Sequence, residues 1–235
     1  CMYCERTFNK FLHQGVKSGV FSTYKVAGGG YKENVRCPHC GSAPRSRLLG
    51  LFFKHRTEAF NQKTDILHIS PNHHVADFLR KSPQVDHVVG ALEIEAFPQY
   101  DPIKVDIQNI ELKENVFDAA ICCHVLEHVD DDMKAMRELH RILKPGGFAI
   151  LQVPLALNLP QTLEDSSITT EKERKIAFGQ VDHVRLYGLD YFERLKKAGF
   201  RVVRDNPFDN QWFSDEELDR HRLDPIEDVI IAFKD

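Results

Sequence analysis

FDAAICCHVLEHVDDDMKAMRELHRILKPGGFAILQVPL, residues 117 to 155, is the stretch on which the reading of this chain turns. Phe117 to Cys123 is an apolar run of strand length, as expected for a strand covered on both faces of a parallel sheet. His124, Glu127 and His128 follow where that strand ends, and in open α/β sheets ligands bind at the carboxyl ends of strands. Asp130 is the expected N-cap of a helix whose apolar face is Met133, Met136, Leu139, Ile142 and Leu143. Pro145, Gly146 and Gly147 are read as its stop, and Phe148 to Val153 as the next strand. A strand, helix and strand linked this closely make a right-handed βαβ unit, and the chain around it is expected to be an α/β domain.

Length and composition fit that expectation. The 235 residues suffice for one such domain with a small appendage, and the net charge of −4 is ordinary for a globular protein. It argues against a chain-wide nucleic-acid surface while leaving local basic patches open. No apolar run approaches the ~20 residues of a membrane span. The six cysteines fall into Cys1/Cys4, Cys37/Cys40 and the adjacent Cys122/Cys123. Two CxxC pairs and a pair in a buried strand are not a secreted disulfide framework, and they point to a reducing, cytoplasmic setting. No signal-peptide pattern is expected to act, although the chain begins at Cys1 rather than Met.

Residues 1 to 44 carry CMYC and CPHC with 32 residues between them. Two such hooks bring Cys1, Cys4, Cys37 and Cys40 around one ion, the arrangement of a structural Cys4 zinc site. A redox dithiol pair is the alternative. Short strands around the Gly28–Gly30 turn would complete a zinc ribbon, with metal supplying stability that so short a segment lacks. Residues 43 to 58 read as a helix that packs Leu48, Leu49, Leu51, Phe52 and Phe53 and turns Arg45, Arg47 and Lys54 to solvent. The expected organisation is a Cys4 module over 1–44, a linking helix over 45–59 and the main domain over 60–235.

The remaining strands follow in order. DILHI (65–69) is the first strand of the main domain and leads into the turn SPNHH. HVVGALEIE (87–95) is the second, ending in acidic residues; a carboxylate at that place commonly accepts the ribose hydroxyls of a nucleotide-type ligand, with Glu93 the first candidate and Glu95 the reserve. IKVDIQNIEL (103–112) gives a short third strand ending at Asp106, with Ile107 next. Residues 155 to 187 form a long polar insertion, and structureless stretches of that length tend to be functional. It closes on VDHVRLYG, where alternation puts His183, Arg185 and Tyr187 on one side. A His, an Arg and a Tyr together suit an anionic or hydroxylated substrate, and Asp182 beside His183 suits orientation of an imidazole base. A helix, LDYFERLKKAG, and a strand, FRVVRD, come next; DVIIAFK (228–234) is the last strand.

HVLEHVDD followed by ELHRILKPGGFAILQVP, with the later KKAGFRVV, resembles class I S-adenosylmethionine-dependent methyltransferases over about three quarters of the chain. The resemblance implies a Rossmann-like sheet, mostly parallel, with the last strand inserted antiparallel. It implies S-adenosylmethionine as cofactor beside structural zinc, and transfer of its methyl group to an acceptor. Asp106 would accept the adenine amino group, Ile107 would pack on the ring, and His124 would face the cofactor, with Glu127 bonding to backbone nearby. The family's first turn is glycine-rich and preceded by an acidic residue. Here His68 takes that position, and Ser70 and Asn72 form the turn, with Asn72 expected to supply the left-handed conformation. His183 is the first candidate for general base and His128 the second; Asp182, Arg185 and Tyr187 would bind the acceptor. A small hydroxylated or anionic molecule such as a saccharide is the expected acceptor. RNA gripped by the ribbon with Arg45 and Arg47 is one alternative, and a non-methylating relative of the same fold is another.

Overall fold

A computed structural model describes residues 1–235. Strand β1 (Leu12–Gln14), helix α1 (Gly19–Thr23) and strands β2 (Val26–Ala27) and β3 (Lys32–Arg36) form the N-terminal segment. Helix α2 (Pro44–Arg56) leads to β4 (Thr64–Ile69), α3 (His73–Leu79), β5 (Val85–Ala91) and β6 (Ile103–Lys104). The decisive stretch supplies β7 (Phe117–Cys123), α4 (Asp132–Ile142) and β8 (Leu143–Gln152). The insertion holds β9 (Leu155–Ala156), β10 (Leu163–Glu164), α5 (Glu171–Phe178) and β11 (Arg185–Leu186). The chain ends through α6 (Tyr191–Lys197), β12 (Arg201–Asp205), α7 (Asp215–His221) and β13 (Val229–Phe233).

Seven strands form one sheet in the order β12-β13-β8-β7-β4-β5-β6. The β8-β7-β4-β5-β6 run is parallel, and β13 lies antiparallel between β12 and β8. This is the α/β architecture expected from the sequence. The centre is β7, whose Ala119, Ala120, Ile121 and Cys122 are fully buried. One face packs on α4 and α6 through Met136, Leu139, Tyr191 and Leu195. The other packs on α2 through Leu49, Phe52 and Phe53, so this helix belongs to the same core as Ile66 and Ile231. Trp212, Phe208 and Phe213 close that side. No helix is long and apolar enough to cross a membrane.

Several local expectations change. Asp131, not Asp130, caps α4, its side chain accepting from the amide of Lys134 at 2.9 Å. The helix ends at Ile142, and β8 begins directly at Leu143. The third strand is only Ile103–Lys104, so Asp106 and Ile107 stand in the loop beyond it. Strand β5 stops at Ala91, leaving Glu93 and Glu95 exposed around a short 3-10 turn. Arg47 does not face solvent. It is fully buried, and its guanidinium donates to the carbonyls of His221 (2.7 Å), Val35 (2.6 Å) and Arg222 (3.2 Å) and to Ser42. Those bonds join the second cysteine hook, β3 and the end of α7.

The N-terminal segment is stitched to the main domain at further points. Strands β1 and β3 pair antiparallel, but β2 pairs with β9 of the insertion, Val26 opposite Ala156 and Ala27 opposite Leu155. The His74 ring at the start of α3 lies 2.8 Å from the carbonyl of Cys40.

Candidate active site

The parallel strands end on one edge of the sheet, and there the backbone is strained at two neighbouring places. Ser70 after β4 and His124 after β7 both take positive φ, 44° and 58°. Non-glycine residues adopt that region at a cost, and such positions cluster where ligands are bound. Asn72, expected to be the left-handed residue, has φ −70° instead and caps α3 by accepting from the amide of His74 at 3.1 Å.

A cavity of about 310 Å³ opens at this edge, lined by His68, Ser70, Asn72 and Cys123 from the sheet side and by Arg45, Ser46 and Gln14 from the N-terminal side. His68 is nearly fully buried and its Nδ1 lies 3.2 Å from Nε2 of His87. Burial lowers both imidazoles, His87 to about 4. Arg45 faces the buried carboxylate of Glu227 at 3.9 Å. A second cavity of about 220 Å³ shares Gln14, Ala43 and Arg45 with the first and adds Gly28–Gly30, Lys32, Phe21 and Gln180. The segment carrying the cysteine hooks thus supplies a wall of the site. Sequence reasoning missed this contribution of Arg45, Lys32 and Glu227, because nothing local links residue 45 to residue 227.

Further along the edge, Asp106 is exposed and its Oδ1 accepts from the amide of Gln108 at 2.8 Å, while Ile107 is buried. Glu93 stands beside Leu92, a large apolar side chain left 60% exposed.

A polar cluster forms where the turn after β7 meets the end of the insertion. Glu127, His128 and His183 bring one side-chain donor atom each within 4.8 Å of one another. The amide of Val184 donates to the carbonyl of Glu127 at 2.9 Å and holds His183 over that turn. Asp182 does not orient His183; its carboxylate lies 3.3 Å from Nδ1 of His128. The His128 and His183 rings meet edge to face, with centroids 4.8 Å apart. His124 places Nδ1 3.2 Å from Glu127. Burial holds the His124 and His183 imidazoles below their usual range. Burial works to raise Glu127, and the imidazoles of His124 and then His128 bring it back below the usual carboxylate range.

Arg185 and Tyr187 turn inward rather than toward either cavity. Arg185 is buried and donates to the carbonyls of Leu126 (2.9 Å), Val129 and Asp130 (2.8 Å) and to Glu164 (3.1 Å). The Tyr187 hydroxyl donates to Asp132 at 2.8 Å. These bonds satisfy carbonyls of the 126–130 turn that would otherwise lack partners.

Beside the start of α3 the four cysteines meet as their spacing implied. Cys1 and Cys40 sulfurs lie 3.7 Å apart and Cys4 and Cys37 sulfurs 3.8 Å apart, with all four within 4.8 Å of one another. A tetrahedral ion with metal–sulfur bonds of ~2.3 Å sets sulfurs about 3.8 Å apart, so the donor set and spacing fit a metal site. His39 is exposed and takes no part in the cluster.

Residues 54–151 match the family described as a methyltransferase domain. Over those residues the chain is similar to class I methyltransferase domains. The match runs from the end of α2 to β8 and takes in the five parallel strands, with the Ser70 turn, Glu93, Asp106 and the Glu127–His128 turn, but not β12 and β13. A 2-phytyl-1,4-naphtoquinone methyltransferase from Nostoc punctiforme is 39% identical over 49 residues, which is 21% of this chain and 21% of that protein. Only about a fifth of that curated relative's length is therefore spanned. Among solved structures, phosphoethanolamine N-methyltransferase 2 from Haemonchus contortus, in complex with phosphomonomethylethanolamine and S-adenosylhomocysteine, superposes with a TM-score of 0.51 at 17% identity. The overlap is 80% of this chain and 52% of that one. The 1,6-didemethyltoxoflavin-N1-methyltransferase of Burkholderia thailandensis also gives 0.51, at 12% identity over 81% of this chain and 79% of that one. At these identities the likeness shows the shared methyltransferase fold.

Proposed function

We propose that this protein transfers the methyl group of S-adenosylmethionine to a small hydroxylated or anionic acceptor, a saccharide being the class its polar site suits. The single observation carrying the proposal is the cavity at the strand ends of a methyltransferase sheet, where His68, Ser70 and Asn72 meet Arg45. Its chemistry suits the methionine end of the cofactor: the Arg45 guanidinium matches a carboxylate, and the Ser70 turn supplies backbone and hydroxyl partners. That arrangement substitutes for the missing glycine turn. Glu93 then takes the ribose hydroxyls, with the exposed Leu92 against the sugar or base. Asp106 accepts the adenine amino group through the carboxylate oxygen not engaged by Gln108, and Ile107 backs the ring. The relatives named above are a phytyl-naphtoquinone methyltransferase, one bound to phosphomonomethylethanolamine and a didemethyltoxoflavin methyltransferase, which is consistent with a small-molecule acceptor here.

Methyl transfer from a sulfonium is an in-line displacement with an excellent leaving group, so the protein's main work is positioning and, for a hydroxyl, removal of a proton. The acceptor side of the reading is the Glu127–His128–His183 cluster and the second cavity. His183 has no exposed surface, so it acts on an acceptor through what binds beside it. Zinc held by Cys1, Cys4, Cys37 and Cys40 is the structural ion of this reading. It keeps the hooks closed so that Gln14, Lys32 and Arg45 stand where they wall the site.

Calorimetry of the zinc-loaded full chain with S-adenosylmethionine tests the proposal. Saturable one-to-one binding, weakened in Asp106→Ala and Glu93→Ala, is expected. No binding at millimolar cofactor would sink the enzyme reading, and unchanged affinity in both variants would move the adenosine pocket elsewhere.

A further inference from the structure

The cluster at the end of β7 has a chemical imbalance that the fold does not resolve. Glu127 is 1% exposed, and neither carboxylate oxygen has a hydrogen-bond partner. His183 is 0% exposed, and neither ring nitrogen has one. Buried polar groups are nearly always satisfied, and a buried carboxylate without donors is among the least tolerated. His124 approaches Glu127 Oε1 at 3.2 Å, but off the line of a hydrogen bond. Two buried side chains without partners, Glu127 and His183, and the half-buried His128 bring one ligand atom each within 4.8 Å of one another, and a cation between them satisfies both.

We propose that Glu127, His128 and His183 form a second metal site, distinct from the four cysteines, for one divalent first-row transition ion. The donor set is two imidazole nitrogens and one carboxylate, which suits zinc, manganese, iron(II) or cobalt and leaves coordination positions open. Around such an ion donor atoms stand roughly 3 to 3.5 Å apart at bond lengths of ~2.1 Å, so small rotations of the two imidazoles close the present set. The frame is already fixed. Val184 is bonded to the Glu127 carbonyl, and Arg185 clasps the carbonyls of Leu126, Val129 and Asp130. The two histidines therefore come from segments 55 residues apart that backbone and side-chain bonds lock together.

The outer contacts have the form expected of a metal site. A ligating histidine characteristically donates its second ring nitrogen to a carboxylate, which fixes the tautomer and aims the other nitrogen at the ion. His128 Nδ1 lies 3.3 Å from the backbone carbonyl of Asp182, its hydrogen-bond partner, and 3.3 Å from the Asp182 carboxylate, and His128 Nε2 is the nitrogen turned to Glu127, 4.0 Å away. Gly28, at positive φ, brings its backbone against the His124 ring; a Cβ there would stand 3.3 Å from Cε1. The N-terminal wall of the second cavity thus reaches His124, which contacts Glu127.

The metal's role, unlike its binding, rests on the methyltransferase reading. An acceptor hydroxyl at an open coordination position loses its proton to water more readily, as metal-bound water does. The O–H bond breaks, the oxygen pair forms the new O–CH3 bond, and the S–CH3 pair leaves on sulfur as S-adenosylhomocysteine. The second ion thereby supplies what a buried His183 cannot deliver as a free base, and it selects acceptors with an oxygen able to reach it.

Manganese is the discriminating probe, because it prefers nitrogen and oxygen donors and competes poorly with zinc for thiolates. The zinc-loaded full chain is titrated with Mn2+ and followed by electron paramagnetic resonance, with zinc content measured in parallel. One Mn2+ per chain is expected, with zinc retained on the cysteines. Binding should be lost in Glu127→Gln and His183→Ala. Asp182→Asn alters a side chain that is 62% exposed, so folding is not at issue, and about tenfold weaker Mn2+ binding is expected. Absence of a second ion with Mn2+, Co2+ and excess Zn2+ overturns the proposal, as does Mn2+ binding that Asp182→Asn and His183→Ala leave unchanged. These readouts do not depend on cofactor binding, so failure of the methyltransferase reading and failure of the metal site remain separable.

Discussion

The Arg47 guanidinium donates through Nε to the carbonyl of His221 at 2.7 Å, joining the helix after the cysteine hooks to the last turn of α7 across 174 residues. Its other nitrogens serve Ser42, Val35 and Arg222, so one buried cation supplies donors to three separate chain segments. Replacing it leaves those carbonyls dry and unpaired. Each unmade buried bond costs about 1–3 kcal/mol. Arg47→Ala is therefore expected to lose about 3 kcal/mol or more, and Arg47→Lys, which lacks the planar fork, most of that. Thermal unfolding checks it: a fall of about 10 °C is expected at this chain length.

Metal removal should act locally first. Stripping a metal held by Cys1, Cys4, Cys37 and Cys40 would take away one tie of a segment whose buried apolar residues are few, Phe11, Phe21, Val26 and Ala27 among them. The seven-stranded sheet has its own core. Hydrogen exchange after chelation should rise over residues 1–44 and over β9, which pairs with β2, while β7 and β4 stay protected. Uniform loss of protection would mean that the cysteine site holds the whole domain together.

The sheet and its central βαβ unit were legible because burial on both faces of β7 and the helical period of α4 are local signals. The cysteine pairs were legible because CxxC spacing carries its own geometry. What could not be read depends on tertiary direction. Alternation set His183, Arg185 and Tyr187 on one side without saying that this side faces the 126–130 turn. Chain adjacency joined Asp182 to His183, whereas the fold gives its carboxylate to His128. An arginine in a basic run looks solvated, and only the arrival of α7 and β3 makes Arg47 internal. Asn72 and Ser70 both suit a tight turn; the need for a cap on α3 takes Asn72 and leaves positive φ to Ser70.

The buried pair His68 and His87 makes stability depend on pH. Burial lowers His87 to about 4, with Arg80 lowering it further and Asp77 opposing, against an ordinary 6.5 in the unfolded chain. Between those values the unfolded state binds the proton and the folded state does not, so stability rises with pH. The contribution is complete above pH 6.5 and is lost progressively as pH falls toward 4. At about 1.4 kcal/mol per unit, the loss from His87 is about 3 kcal/mol. Urea unfolding between pH 4 and 7 should show this slope in the wild type, and His87→Gln should flatten it.

Arg45 provides a separate test of the cofactor side. It lines both cavities, and its ion pair with Glu227 is long at 3.9 Å, so its charge is available to a ligand carboxylate. Charge-assisted hydrogen bonds contribute about 1.5–3 kcal/mol. Arg45→Ala should raise the dissociation constant for S-adenosylmethionine at least about tenfold while leaving 5′-methylthioadenosine, which lacks the carboxylate, nearly unaffected. Equal weakening of both ligands would place Arg45 elsewhere on the cofactor.

Gly179 tests whether the insertion must stay seated on the N-terminal segment. It ends α5 at φ 93°, and a Cβ built there would clash with Cε1 of Phe21, a buried member of the cluster that includes Val26, Phe178 and Leu186. Gly179→Ala thus combines left-handed strain with a ring that has to move, and a cost of about 1–3 kcal/mol is expected. The displaced Phe21 lies in the wall of the second cavity, whereas the Ser70–Arg45 cavity does not include it. Acceptor KM should therefore rise more than cofactor Kd in Gly179→Ala. Phe21→Leu on that background should recover part of the loss by removing the ring edge the new methyl meets. A variant in which cofactor affinity falls first would show that the insertion's seat governs the strand-end cavity instead.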